Sequence, residues 1–146
     1  MQEFSQKYTI VQFIEEVKEG DKFAASSWPL HVTIAPVFTV KWNDNLLERL
    51  SELLAEQKPF TAIAEDDDYF GPDKSIQVTL LSPNKELILF HKNIEAFLKN
   101  AGAIFNEPHY IGDGFKPHAT VQPHVRLQKG SNVTFDELTV IDMFPN

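Results

Sequence analysis

Two hexapeptides in this chain follow one pattern, His31-Val32-Thr33-Ile34-Ala35-Pro36 and His118-Ala119-Thr120-Val121-Gln122-Pro123, each reading His-x-Thr-[Ile/Val]-x-Pro. Side chains alternate faces along a strand, so His31 and Thr33 share one face, as do His118 and Thr120, while the residues between them can enter a core. If the two strands meet around a cleft, two imidazoles and two hydroxyls converge. Such a set can turn over a phosphodiester. One neutral histidine takes a proton from water, and the other, protonated, gives one to the departing alkoxide. Histidine suits both tasks because its ordinary pKa, about 6.5, lets the two forms coexist near neutrality. The threonine hydroxyls can donate hydrogen bonds to the non-bridging oxygens as charge builds at phosphorus. No metal or other cofactor is required, since imidazolium, hydroxyls and a nearby Lys or backbone N–H can offset the anion. One His-x-Thr alone reads as a strand with a satisfied histidine; the paired copies, which also share the fourth and sixth residues, carry the functional reading.

Other residues near these motifs are candidates for holding substrate. Lys116 lies two positions before His118 and shares its face if the strand begins early enough, which makes it a phosphate contact. Tyr110 and Phe115, or Trp28 and Phe70, could stack on a base at the cleft mouth. His91 sits beside the apolar stripe of a helix and reads as a boundary histidine. His109 and His124 border the second motif and could tune it or order a loop; a metal cluster built from His109, His118 and His124 has no established ligand spacing behind it. A calcium loop starting at Asp66 fails, because Phe70 and Gln77 stand where the template needs oxygen ligands. Gly112-Asp113-Gly114 lacks the rest of a phosphate-binding loop, and there is no His-Glu-x-x-His or Gly-x-Ser-x-Gly.

Several elements must position these residues. Tyr8 to Ile14 is a short β-branched strand, Glu15 to Trp28 a polar loop, and His31 to Val40 a strand in which Pro36 requires an edge, a bulge or an end. Asn43 or Asp44 caps a helix with leucines at 46, 47, 50, 53 and 54, closed by Pro59. Phe60 to Ala64 and Ile76 to Leu81 read as strands separated by an acidic turn, Glu65 to Asp68. Asn84 caps a second helix, with Leu87, Phe90, Ile94, Phe97 and Leu98 on one face and Gly102 as its stop. A strand around His118 to Gln122 and a last one from Val133 to Met143 bring the placed strands to six, in an α+β arrangement expected to hold seven strands and two helices.

The chain has 146 residues, 42% apolar and 23% charged, with no linker rich in Gly, Ser or Pro, which suits one domain over 1–146. The absence of cysteine excludes a disulfide framework, an iron–sulfur cluster and a cysteine nucleophile. A net charge of -8 opposes long DNA or RNA and leaves a small anion in a local pocket. No signal-like or membrane-length apolar stretch is present, so a cytoplasmic protein without a membrane partner is expected.

The sequence resembles the 2H phosphoesterases, the superfamily of the 2'-5' RNA ligase-like proteins and 2',3'-cyclic phosphodiesterases. The resemblance rests on Pro29-Leu30-His31-Val32-Thr33-Ile34 and Phe115-Lys116-Pro117-His118-Ala119-Thr120-Val121, and extends through the order of elements over most of the chain. It implies a bilobal, pseudo-symmetric fold, with two antiparallel sheets flanking a central cleft and helices outside. It also implies that His31 and His118 are the acid–base pair and Thr33 and Thr120 the phosphate ligands. The expected substrate is a small nucleotide or short oligonucleotide, foremost a 2',3'-cyclic phosphate; a hydrolase of cyclic oligonucleotide signals and a non-catalytic nucleotide-binding module are the alternatives. The scarcity of arginine, with only Arg49 and Arg126, disfavours ligation of long RNA.

Overall fold

Why the motif residues end up on one surface follows from how the strands are ordered. The computed structural model describes residues 7–143 apart from 19, 24–27, 83 and 107–110. Along the chain run β1 (Lys7–Phe13), β2 (His31–Thr39), α1 (Asp44–Glu56), β3 (Phe60–Phe70), β4 (Ile76–Leu81), α2 (Lys85–Asn100), β5 (Ile104–Phe105), β6 (His118–Thr120), β7 (Asn132–Phe135) and β8 (Leu138–Met143). The strands form a single sheet in the order β7-β3-β4-β6-β2-β1-β8, with β5 added beside β2. The two sheets expected on either side of a cleft are therefore one. The join is the antiparallel contact of β2 with β6.

Both helices begin where their caps dictate. The Asn43 side chain accepts from the Leu46 N–H and the Asn84 side chain from the Leu87 N–H, each at 2.8 Å, relieving donors that have no partner inside the helix. Leu50 of α1 and Leu87, Phe90, Ile94 and Leu98 of α2 join Ile10, Val32, Ile34, Phe38 and Ala119 of the sheet in one core. Each of these large side chains contributes roughly 1.5–3 kcal/mol by leaving water. The opposite face of β2 and β6 is left for the motif residues.

Three expected boundaries shift. Glu65 to Asp68 is not a turn but part of β3, which continues to Phe70. Its acids are offset by cations distant in sequence, with Asp66 paired to Lys129 and Asp67 to Arg126. The single closing strand from Val133 to Met143 is two strands, interrupted where the Asp136 and Glu137 N–H groups both donate to Gln12 Oε1 at 3.0 Å. The strand at the second motif stops at Thr120 rather than Gln122, and with the short β5 the described residues make eight strands rather than seven.

β2 is irregular just past its motif. Val11 pairs with Thr33 and Ile10 with Ala35, so Ile34 has no partner across the ladder; a second shift, between Tyr8 and Ile10, spans Pro36 and Val37. Pro36, which has no N–H to give, thus occupies a bulge.

Candidate active site

Val32 pairs with Ala119 at the centre of the sheet, and both are buried in the core. Their neighbours must then face the other way. Extending the antiparallel register one step in each direction sets His31 across from Thr120 and Thr33 across from His118. The sequence repeat is thereby converted into a crossed square of two imidazoles and two hydroxyls, all four half-buried.

The correspondence continues into the flanking strands, where the sequence shows no repeat. β1 places Val11, Gln12 and Phe13 against Thr33, Val32 and His31. β4 places Val78, Thr79 and Leu80 against Thr120, Ala119 and His118. Val11 and Val78 are fully buried beside the two threonines, and Gln12 and Thr79 are buried polar side chains at matching positions. Gln12 anchors the β7–β8 break, while Thr79 Oγ1 lies 3.3 Å from the Leu127 carbonyl and 3.1 Å from the Arg126 guanidinium.

Both motif imidazoles are tied to the backbone in the same manner. His31 Nδ1 lies 2.8 Å from the Pro29 carbonyl, and His118 Nδ1 lies 2.7 Å from the Lys116 carbonyl, two residues back in each case. A carbonyl can only accept, so Nδ1 carries the hydrogen and Nε2 keeps its lone pair in the neutral ring. Burial pushes both histidines below their ordinary pKa. For each, the carbonyl bond partly opposes that fall, and for His31 the positive charge available on His118 adds to it.

A cleft of about 700 Å³ opens over this face, walled in its polar part by Thr9, Thr33, His118, Thr120 and Lys116. Pro36, Val37, Ile76 and Met143 make the remainder apolar, and Lys116 is the one permanently charged side chain among its described wall residues. Trp28, Phe70 and Phe115 also line it. Phe70 meets His118 edge-on at 4.7 Å, and the Lys116 ammonium lies 6.0 Å from the same Phe70 ring. His31 is not itself a wall residue. Its ring packs against Phe13 at 6.0 Å and against the wall residue Trp28 at 5.1 Å. The structure thus brings together Thr33, His118, Thr120, Lys116, Phe115, Trp28 and Phe70, with His31 at the margin; Tyr110 and His109 fall outside the described residues.

One acid and two histidines outside the motifs hold this arrangement. Glu15 accepts from the Leu30 N–H, just before His31, and from His124 at 2.9 Å, just after the second hexapeptide. The Leu30 bond first, and His124 after it, keep the Glu15 carboxyl below the usual carboxylate range. His124 therefore orders a loop. His91 is not a boundary residue: it is fully buried in the apolar face of α2. Its spacing of four from Leu87 was the available signal for that burial, and its polarity argued the other way. Among the described residues no three His, Asp or Glu side chains converge as metal ligands would.

Residues 7–138 match the family model described as the 2'-5' RNA ligase superfamily. The chain belongs to that superfamily. Among curated proteins no sequence matches it. Among solved structures, this member of the 2'-5' RNA ligase superfamily is similar to one titled as the crystal structure of a phosphoesterase, with a TM-score of 0.54 and 17% identity, covering 96% of this chain and 90% of the other. At that identity the likeness concerns the fold. Both comparisons agree with an α+β, 2H phosphoesterase-related architecture for this superfamily member.

Proposed function

We propose that this protein hydrolyses a small nucleotide phosphodiester, foremost a nucleoside 2',3'-cyclic phosphate, with His31 and His118 as the acid–base pair. The crossed placement of each histidine opposite the other motif's threonine supports this reading most directly. One neutral imidazole takes a proton from water at Nε2 while the water oxygen bonds to phosphorus. The other, as imidazolium, gives its proton to the ribose oxygen as the P–O bond breaks, leaving a phosphomonoester and a free hydroxyl. The two rings finish with their protonation states exchanged. Thr33 and Thr120 donate to the non-bridging oxygens, and Lys116 supplies fixed positive charge beside His118.

The cleft's make-up favours a single phosphate on an apolar or aromatic body. One lysine in a largely apolar wall can balance one anionic diester, whereas a diphosphate or a polymer brings further charge to a molecule already at -8. Trp28, Phe70 and Phe115 offer ring faces or edges for a base. The test is a substrate panel assayed in excess chelator: nucleoside 2',3'-cyclic phosphates, ADP-ribose cyclic phosphate, 2'-5' and 3'-5' dinucleotides, cyclic di- and trinucleotides, and a long RNA ending in a cyclic phosphate. Fastest turnover of the nucleoside cyclic phosphates is expected. Long RNA processed faster than every small substrate would defeat the size preference, and tight binding without turnover across the panel would make the protein a nucleotide-binding module.

A further inference from the structure

His91 of α2 touches both halves of the proposed site without lining it. Its Nδ1 lies 2.8 Å from the Ile34 carbonyl, and the Gly112 N–H donates to its Nε2 at 3.0 Å. A backbone N–H can only donate, so Nε2 is the acceptor and the ring is neutral with its hydrogen on Nδ1. Its face stacks on Phe115 at 3.8 Å between centroids and 4° between planes.

What each contact holds gives the ring its significance. Ile34 is the unpaired residue of the β2 bulge, immediately after Thr33. A buried bulge carbonyl without a ladder partner needs another donor, and His91 supplies it. Thr9 Oγ1 donates to the next carbonyl, that of Ala35, at 2.7 Å. Gly112, in the left-handed region at φ 61°, opens the 3-10 turn Gly112–Gly114, which delivers Phe115 and then the Lys116 carbonyl that orients His118. One imidazole thus grips the bulge behind the first motif and the approach to the second.

We propose that His91 is a positioning residue that sets the first motif against the second, and so the placement of His31 relative to His118. A hydrophobic ring of similar size would fill the space and keep the stack, but would leave the Ile34 carbonyl and the Gly112 N–H without partners. The bulge and the turn could then settle independently. Displacements on the scale of 1 Å at reacting groups can cost about 10²-fold in rate.

The inference rests on the proposed two-histidine chemistry for its kinetic arm only. The first arm needs no substrate: the ring signals of His31 and His118 are followed by NMR through a pH titration in the wild-type protein, His91→Phe and Leu98→Ala. Leu98 is buried on the same helix and its side chain has no hydrogen-bonding atom, so it supplies a variant weakened in packing alone. Altered ring shifts and midpoints for both motif histidines are expected in His91→Phe and not in Leu98→Ala. Unchanged signals in His91→Phe, or equal changes in Leu98→Ala, overturn the proposal. In the second arm, with any phosphodiester the protein turns over, kcat in His91→Phe is expected to fall by about tenfold or more with KM held within about twofold. His91→Asn can place an amide N–H near the Nδ1 position, and His91→Gln an amide oxygen near that of Nε2. Each should restore part of the loss, and these two variants serve in both arms if the phenylalanine variant does not fold. A fall confined to KM, or no recovery with either amide, contradicts the proposal.

Discussion

A neutral imidazole whose Nδ1–H is tied to a carbonyl presents Nε2 in a fixed direction, and both motif histidines are prepared in that way. Their titration then shapes the rate. Turnover needs one ring neutral and one protonated, and burial lowers the pKa of each. The proton donor is therefore lost as pH rises through a value below about 6.5, and the acceptor is lost at still lower pH, when both rings are charged. The expected pH–rate profile is a bell with its maximum on the acid side of 6.5, its limbs belonging to the pair rather than to either residue. A plateau extending through pH 8 would contradict this. Thr33→Val and Thr120→Val should each lower kcat by roughly tenfold or more, since they remove donors aimed at developing charge while keeping shape. An effect confined to KM in steady-state assays would show that the hydroxyls hold ground-state substrate only.

At the scale of elements, what was legible in the sequence was local. Both helices follow from a cap and an apolar period, and Asn84→Ala should cost about 1 kcal/mol in denaturant unfolding. A wild-type midpoint would refute that role for the side chain, which also donates to the Thr61 carbonyl. The His-x-Thr pairs were legible because each motif is written in three consecutive residues, and their alternation fixes which side chains share a face. What could not be read was set by contacts between distant segments. The acids of Glu65 to Asp68 suggest a turn until Arg126 and Lys129 arrive opposite them. The merging of two expected sheets depends on one short pairing between strands whose motifs stand 87 positions apart. His91 looked like a surface-boundary histidine because its two partners, a bulge carbonyl and a turn N–H, are invisible in a linear pattern.

For the whole molecule, one buried and two half-buried histidines carry a common consequence. Burial lowers His31, His91 and His118, so as pH falls below about 6.5 the unfolded chain takes up protons that the folded one refuses. For His91 the nearby Glu95 charge opposes this shift and the Lys92 charge reinforces it. Stability should be unaffected by these groups above about pH 7.5 and should decline from about 6.5 downward, before the exposed carboxylates begin to titrate. Thermal unfolding between pH 8 and 5 checks this, and a Tm that rises on acidification over that range would refute it. No helix among the described residues is long and apolar enough to cross a membrane. The fold as a whole brings two sequence-distant strands to one seam and points their histidines away from the core. The claim that this seam is catalytic is tested most directly by kcat for hydrolysis of a nucleoside 2',3'-cyclic phosphate in His31→Ala, His118→Ala and the double variant. Each single substitution should lower kcat by about 10² or more, with the double variant falling little further because the two rings act as a unit. Full activity in both single variants would contradict the account.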